Sequence, residues 1–136
     1  MKKAVIYWSG TGNTAAMASA IAAGMGEGTE LYSVDQFTGD IADYDKIAFG
    51  CSAMGDEVLE EAEFDPFFTS IEGKLGGKKV ALFGSYGWGD GQWMRDWEER
   101  MNAAGATVVN GEGVIAHEAP DAEALEACRS LGKALI

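Results

Sequence analysis

Short apolar runs alternate along the chain with longer stretches of helical period. Ala4-Val5-Ile6-Tyr7-Trp8 lacks clean polar alternation, as expected of a strand covered on both faces. Asn13 to Met25 is alanine-rich, with Met17 and Ile21 four apart, and reads as a helix ended by Gly24, Gly26 and Gly28. Leu31–Val34, Asp45–Cys51, Lys79–Gly84 and Thr107–Ala116 read as four further strands. Phe64–Ile71, Gln92–Ala103 and Ala122–Leu135 read as helices. Trp93, Trp97 and Met101 recur at i, i+4 and i+8, and Leu125, Cys128, Leu131 and Leu135 share one helix face, so both sets are expected in the core. Five strands alternating with helices predict a single α/β domain over residues 1–136, a doubly wound parallel sheet with helices on both faces. In such sheets ligands sit at the carboxyl ends of strands, where strand order switches. The loops after the first, third and fourth strands therefore carry the chemistry.

The first of these, Ser9-Gly10-Thr11-Gly12-Asn13-Thr14, places three hydroxyls and two glycines at a helix N-terminus. The glycines let backbone N–H groups converge, and the helix end adds free donors and a positive dipole, so the loop suits a phosphate held without cations. The Walker pattern fails, because Ala15 and Ala16 stand where Gly and Lys are required. A dinucleotide fingerprint nearly fits (Gly10-x-Gly12-x-x-Ala15, with Asp35 further on), but three hydroxyls suit a terminal phosphate better than a mid-chain pyrophosphate. The blander alternative is a helix cap at Asn13 or Thr14. The other loops, Ser52-Ala53-Met54-Gly55-Asp56-Glu57 and Ser85-Tyr86-Gly87-Trp88-Gly89-Asp90, set Trp88 and Tyr86 among glycines and Met54 opposite them. That is an arrangement for a flat heteroaromatic ring. Trp88 as a lid over the core is the competing reading, and Trp8 fits either role.

Ten basic against 22 acidic residues give a net charge of −12. Nucleic-acid and anionic-membrane binding are thereby disfavoured, and docking to basic patches on partners is favoured. Two cysteines without a CxxC pair and one histidine offer no usual metal cluster. Cys51 reads as a small buried residue in a reduced, cytoplasmic protein. No signal peptide and no apolar run of membrane-spanning length is visible.

The three loops together resemble the flavodoxin family, most closely its short-chain clostridial type, over essentially the whole chain and in order. The resemblance implies strand order 2-1-3-4-5, non-covalent FMN, and no catalytic residues. It implies a low-potential electron carrier cycling between neutral semiquinone and anionic hydroquinone. Its partners would be redox enzymes that otherwise use ferredoxin, docked transiently by a monomer. Ser9 to Thr14 would bind the phosphate, Trp88 and Met54 would cover the two ring faces, and Glu57 would accept from the flavin N3–H. The Gly55 carbonyl would turn towards N5–H after a flip of the Gly55–Asp56 peptide, and backbone near Gly87 and Gly89 would meet the pyrimidine edge. With Asp56, Glu57 and Asp90 and no cation in the loops, the last electron is expected to be hard to add. An FMN-dependent quinone reductase or nitroreductase on the same fold is the alternative. A receiver-type signalling domain is disfavoured by the lack of a carboxylate after the first strand.

Overall fold

The computed structural model describes residues 2–136. Strand β1 (Lys2–Trp8) lies between β2 (Thr29–Ser33) and β3 (Tyr44–Cys51). β4 (Lys79–Tyr86) follows β3 and then β5 (Thr107–Val108), so the parallel order is 2-1-3-4-5. The fifth position differs from the single strand expected. Val109–Gly111 leaves the sheet in a turn with Asn110 at φ 64, and the chain rejoins β4 as β6 (Val114–His117). β5 pairs with Lys79 and Val80, and β6 with Phe83 to Tyr86, so the two are successive halves of one position.

Both faces of the sheet are buried, which is why its strands read as continuous apolar runs. Ala4, Ile6, Ile47, Phe49, Val80 and Leu82 face one layer, with Phe64, Phe68, Trp93, Trp97 and Met101 from helices α2 (Phe64–Ile71) and α3 (Gln92–Ala103). Val5, Ala48, Ala81 and Phe83 face the other, with Met17, Ile21, Leu131 and Leu135 from α1 (Asn13–Met25) and α4 (Ala122–Leu135). Cys51 and Cys128 fall in opposite layers. Burial pushes the Cys51 thiol up to about 12, so it is an inert core residue.

Gly24 does not end α1. It is buried inside the helix, where α1 crosses α4, and Gly26 provides the C-cap with φ 89. The close approach of another backbone, not a turn, requires the glycine at 24.

Helix α2 starts under a carboxylate that sequence spacing did not single out. Buried Glu60 accepts the backbone N–H groups of Ala62 (2.8 Å), Glu63 (2.7 Å) and Phe64 (2.8 Å). Burial alone would raise its pKa, but the three donors outweigh it and hold the group below its ordinary 4.5. A depressed folded-state pKa stabilises the fold above the unfolded value. The contribution is lost as pH falls below 4.5 through the folded one. Glu60→Ala is expected to cost about 2 kcal/mol at neutral pH, seen as a lower urea midpoint, and the deficit should shrink in acid. A deficit independent of pH would contradict this account.

Candidate functional site

The loops after β1, β3 and β4 meet at the carboxyl edge of the sheet around an open cleft of about 360 Å³, within the usual range for small-molecule sites. Nine of the residues singled out in the sequence line it: Gly10, Thr11, Asn13, Ser52, Ala53, Met54, Ser85, Tyr86 and Gly87. Ser9 and Gly12 face a shallow depression beside it.

Thr14 lies beneath the cleft, fully buried. Its Oγ1 is 2.7 Å from Ser52 Oγ and 3.1 Å from Ser85 Oγ, and it accepts the Ser85 backbone N–H at 3.2 Å. One hydroxyl from each loop thus meets in a knot that fixes all three loops relative to one another.

Above this knot the first loop curls on glycine. Gly12 is at φ 96 and its N–H donates to Ser9 Oγ at 3.1 Å. No side chain caps α1, so its first-turn N–H groups stay available, and no acidic residue occupies that turn. Trp8 packs its ring over Gly10, where a Cβ would come within 3.0 Å of it. Its indole N–H reaches Glu63 at 3.3 Å, and Trp8 lines the cleft as a half-buried wall.

The second loop is a tight reversal. Met54 and Val58 exchange both backbone hydrogen bonds at 2.9 Å, closing a turn of Gly55, Asp56 and Glu57. Gly55 has φ 50 and Glu57 φ 57, whereas Asp56 is not in the left-handed region. This is the turn state with left-handed φ at Gly55, where glycine meets no steric penalty.

Glu57 reaches across to the third loop. Its Oε2 accepts Gln92 N–H at 2.7 Å and Gly91 N–H at 3.2 Å, capping α3, whose own N-cap residue Gly91 (φ 97) has no side chain to do so. Gly89 beneath it is at φ 87, which favours glycine, and a Cβ there would push the Glu57 carboxylate aside. Besides the ring contact that the resemblance implies, the Glu57 carboxylate clasps the two rim loops together. Glu57→Ala is therefore expected to lower the urea midpoint by about 1 kcal/mol, and Glu57→Gln, which keeps an acceptor oxygen, by less. Equal midpoints for Glu57→Ala and the parent would remove the clasp.

Trp88 stands 62 % exposed at the rim with Asp56, Gly89 and Asp90, so it does not roof the core. Trp93 and Trp97 are core residues, as their spacing implied. The loops hold no base, but α3 brings Arg95 to Asp90, with Nη2 2.8 Å from its carboxylate. Glu118 also lines the cleft, at φ 58, and its N–H donates to the Tyr86 carbonyl at 2.7 Å. It follows β6, an edge position that attention to three loops left out. Among the described residues no three His, Cys, Asp or Glu side chains gather as metal ligands.

The donor set fits FMN on this chain's own geometry. Free helix N–H groups and the Thr11 hydroxyl would suit a phosphate, an apolar wall of Trp8, Ala53 and Met54 would suit a ring, and Trp88 stands exposed at the mouth.

A family model described as flavodoxin matches residues 5–132. The flavodoxin of Clostridium beijerinckii is 51 % identical over 133 residues, covering 95 % of each chain. That of Megasphaera elsdenii is 49 % identical over 134 residues, covering 96 % of this chain and 95 % of its own. The solution structure of two-electron reduced Megasphaera elsdenii flavodoxin superposes with TM-score 0.83 at 44 % identity, covering 98 % of this chain and 97 % of that one. A match spanning the sheet and all three edge loops leaves one assignment: this chain belongs to the flavodoxin family.

Proposed function

We propose that the cleft holds one FMN without a covalent bond and that the chain uses it to carry single electrons between redox enzymes. The observation that carries this is the convergence of three loops, knotted by Thr14, Ser52 and Ser85, on a cleft with free helix N–H groups at one end and an exposed tryptophan at the other.

FMN supplies reversible one-electron chemistry when bound. The chain supplies the rest. Ser9, Thr11, Asn13 and the N–H groups of α1 bind the phosphate with neutral donors, aided by the helix dipole. Thr14 and Ser52 hold those donors in place from below. Trp88, Met54 and Tyr86 exclude water from the ring, and Gly55 offers a carbonyl whose peptide can rotate at little cost. Gly87 and Gly89 leave backbone accessible at the ring's polar edge. The carboxylates of Asp56, Glu57, Asp90 and Glu118 disfavour added negative charge, which makes the bound cofactor a strong reductant.

Flavodoxins are electron carriers, and the likeness to them does not favour a quinone reductase or nitroreductase. The exposed side chains of Met54, Val58 and Trp88 among those carboxylates form a small apolar patch with an acidic border. It suits brief docking to a basic face, with on-rates that fall as salt rises. Among the described residues no helix is long and apolar enough to cross a membrane.

The test is titration of FMN-free protein with FMN. Flavin and tryptophan fluorescence should quench together at one FMN per chain. Protein that leaves FMN fluorescence unchanged would overturn the proposal.

A further inference from the structure

The sulfur atoms of the described residues divide by exposure. Met17, Met25 and Met101 are wholly buried and Met94 is 2 % exposed, whereas Met54 is 38 % exposed where it lines the cleft. Met1 lies outside the described residues. Cys51 and Cys128 are buried in opposite layers, and burial pushes their thiols up to about 12 and about 11. Neither is a thiolate at neutral pH, and the thiolate is the form that oxidants attack. Met54 is therefore the accessible, oxidisable sulfur among the described residues.

Its position gives that exposure a consequence. Met54 exchanges both backbone hydrogen bonds with Val58 at 2.9 Å, so its backbone is held and its own N–H is already engaged. Its side chain joins Ala53 and Trp8 in the apolar wall of the cleft, and the Trp8 indole N–H is given to Glu63. A thioether is apolar and polarizable and packs well against an aromatic ring. A sulfoxide is polar and chiral, with an acceptor oxygen that needs a donor or water. With the Met54 N–H and the Trp8 indole already engaged, a ring seated on this wall would either strip that oxygen of water or lose the side chain from its face.

We propose that Met54 is a modification site, at which hydrogen peroxide converts the thioether to the sulfoxide and so loosens the hold of the cleft on its flavin. The loss of flavin binding rests on the FMN reading above; the selective oxidation does not. In the step, the sulfur lone pair attacks one peroxide oxygen. The O–O bond breaks as the S–O bond forms, the sulfur is oxidised by two electrons, and the peroxide is reduced by two and leaves as water. The change is reversible, because methionine sulfoxide reductases, one for each epimer, remove the oxygen again. A ring seated over Met54 shields the sulfur, so the modification falls on the FMN-free chain and opposes reloading. The buried methionines keep the fold itself out of reach of the same oxidant.

The experiment treats the folded protein with hydrogen peroxide, with and without FMN, and follows each methionine-bearing peptide by mass spectrometry. The peptide of Met54 should gain one oxygen atom at least about tenfold faster than those of Met17, Met25, Met94 and Met101, and more slowly when FMN is present. FMN affinity of the treated protein, read by fluorescence titration, should fall by about tenfold to a hundredfold, the cost of setting an unpartnered dipole against a ring. Methionine sulfoxide reductases should restore it. M54L, whose side chain has similar volume and no sulfur, should show the same FMN affinity before and after peroxide, whatever that affinity is. Oxygen arriving first on a buried methionine, a cysteine or Trp88 would overturn the proposal. So would a Met54 sulfoxide that binds FMN as tightly as the untreated chain, or an equal loss of affinity in peroxide-treated M54L. Untreated protein that takes up no FMN would instead strike the cofactor reading, and selective oxygen gain at Met54 would still be read by mass.

Discussion

Replacing Gly132 with alanine should destabilise the protein by about 2–3 kcal/mol, despite alanine's higher helix propensity. A Cβ at 132 would sit 2.3 Å from the Ile21 carbonyl oxygen and 3.0 Å from the Met25 nitrogen. The matching position on α1, Gly24, would bring a Cβ to 2.1 Å from the Arg129 carbonyl oxygen. These neighbours are backbone, so no rotamer change relieves the overlap. The helices must separate, and separation opens voids around Met17, Ile21, Cys128 and Leu131, which share that layer. Propensity favours alanine by about 1 kcal/mol, while overpacking of this kind typically costs 1–3 kcal/mol and occasionally more, so packing wins. Urea unfolding of the parent and Gly132→Ala proteins checks this. A midpoint equal to or above the parent's would show that the two helices are not held at this separation.

The second large effect is expected at the knot under the cleft. Thr14→Val preserves shape and removes one oxygen. That oxygen is the acceptor for the buried Ser85 N–H and the link to both the Ser52 and Ser85 hydroxyls. The two serines, 3.5 Å apart, can still find each other, but the backbone N–H is left without a partner. A buried group stripped of its partner costs about 1–3 kcal/mol, shared between a lower urea midpoint and loosened loops. FMN affinity should fall by about tenfold to a hundredfold, equivalent to about 1.4–2.8 kcal/mol. Thr14→Ser, which keeps the oxygen, should lie within a few-fold of the parent. Fluorescence titration with FMN distinguishes the three proteins, and equal affinity for Thr14→Val and the parent would remove the knot from the account.

Much of this molecule was readable from one dimension. Continuous apolar runs such as Lys79 to Gly84 marked strands covered on both faces, and Trp93, Trp97 and Met101 marked the buried stripe of α3. The edge that gathers the loops followed from α/β alternation, whereas the order of the strands came only with the resemblance to flavodoxins. Elsewhere the same signals misled. Gly24 read as a helix end, because a glycine late in an alanine-rich stretch says nothing about a second helix lying across it. The bonds that Glu57 makes within the chain were not legible, because the N–H groups that engage its carboxylate lie 34 and 35 residues further on. Nor was it legible that Thr14 faces inward while Thr11 faces out.

The sequence alone determined what depends on period and local chemistry: which stretches are strands or helices, which faces are apolar, and which loops have the glycines and donors for a phosphate. Hydrophobic burial and backbone hydrogen bonding act through repeats of two and 3.6 residues, and those repeats are written in the chain. Only the tertiary structure decided the partners of individual polar groups: Thr14 with Ser52 and Ser85, Glu57 with the start of α3, His117 with Gly87, and Gly24 and Gly132 with each other's helices. A hydrogen bond or a close backbone contact is satisfied within a few tenths of an ångström. The separation that meets it is set by the packing of whole layers, to which no local pattern has access.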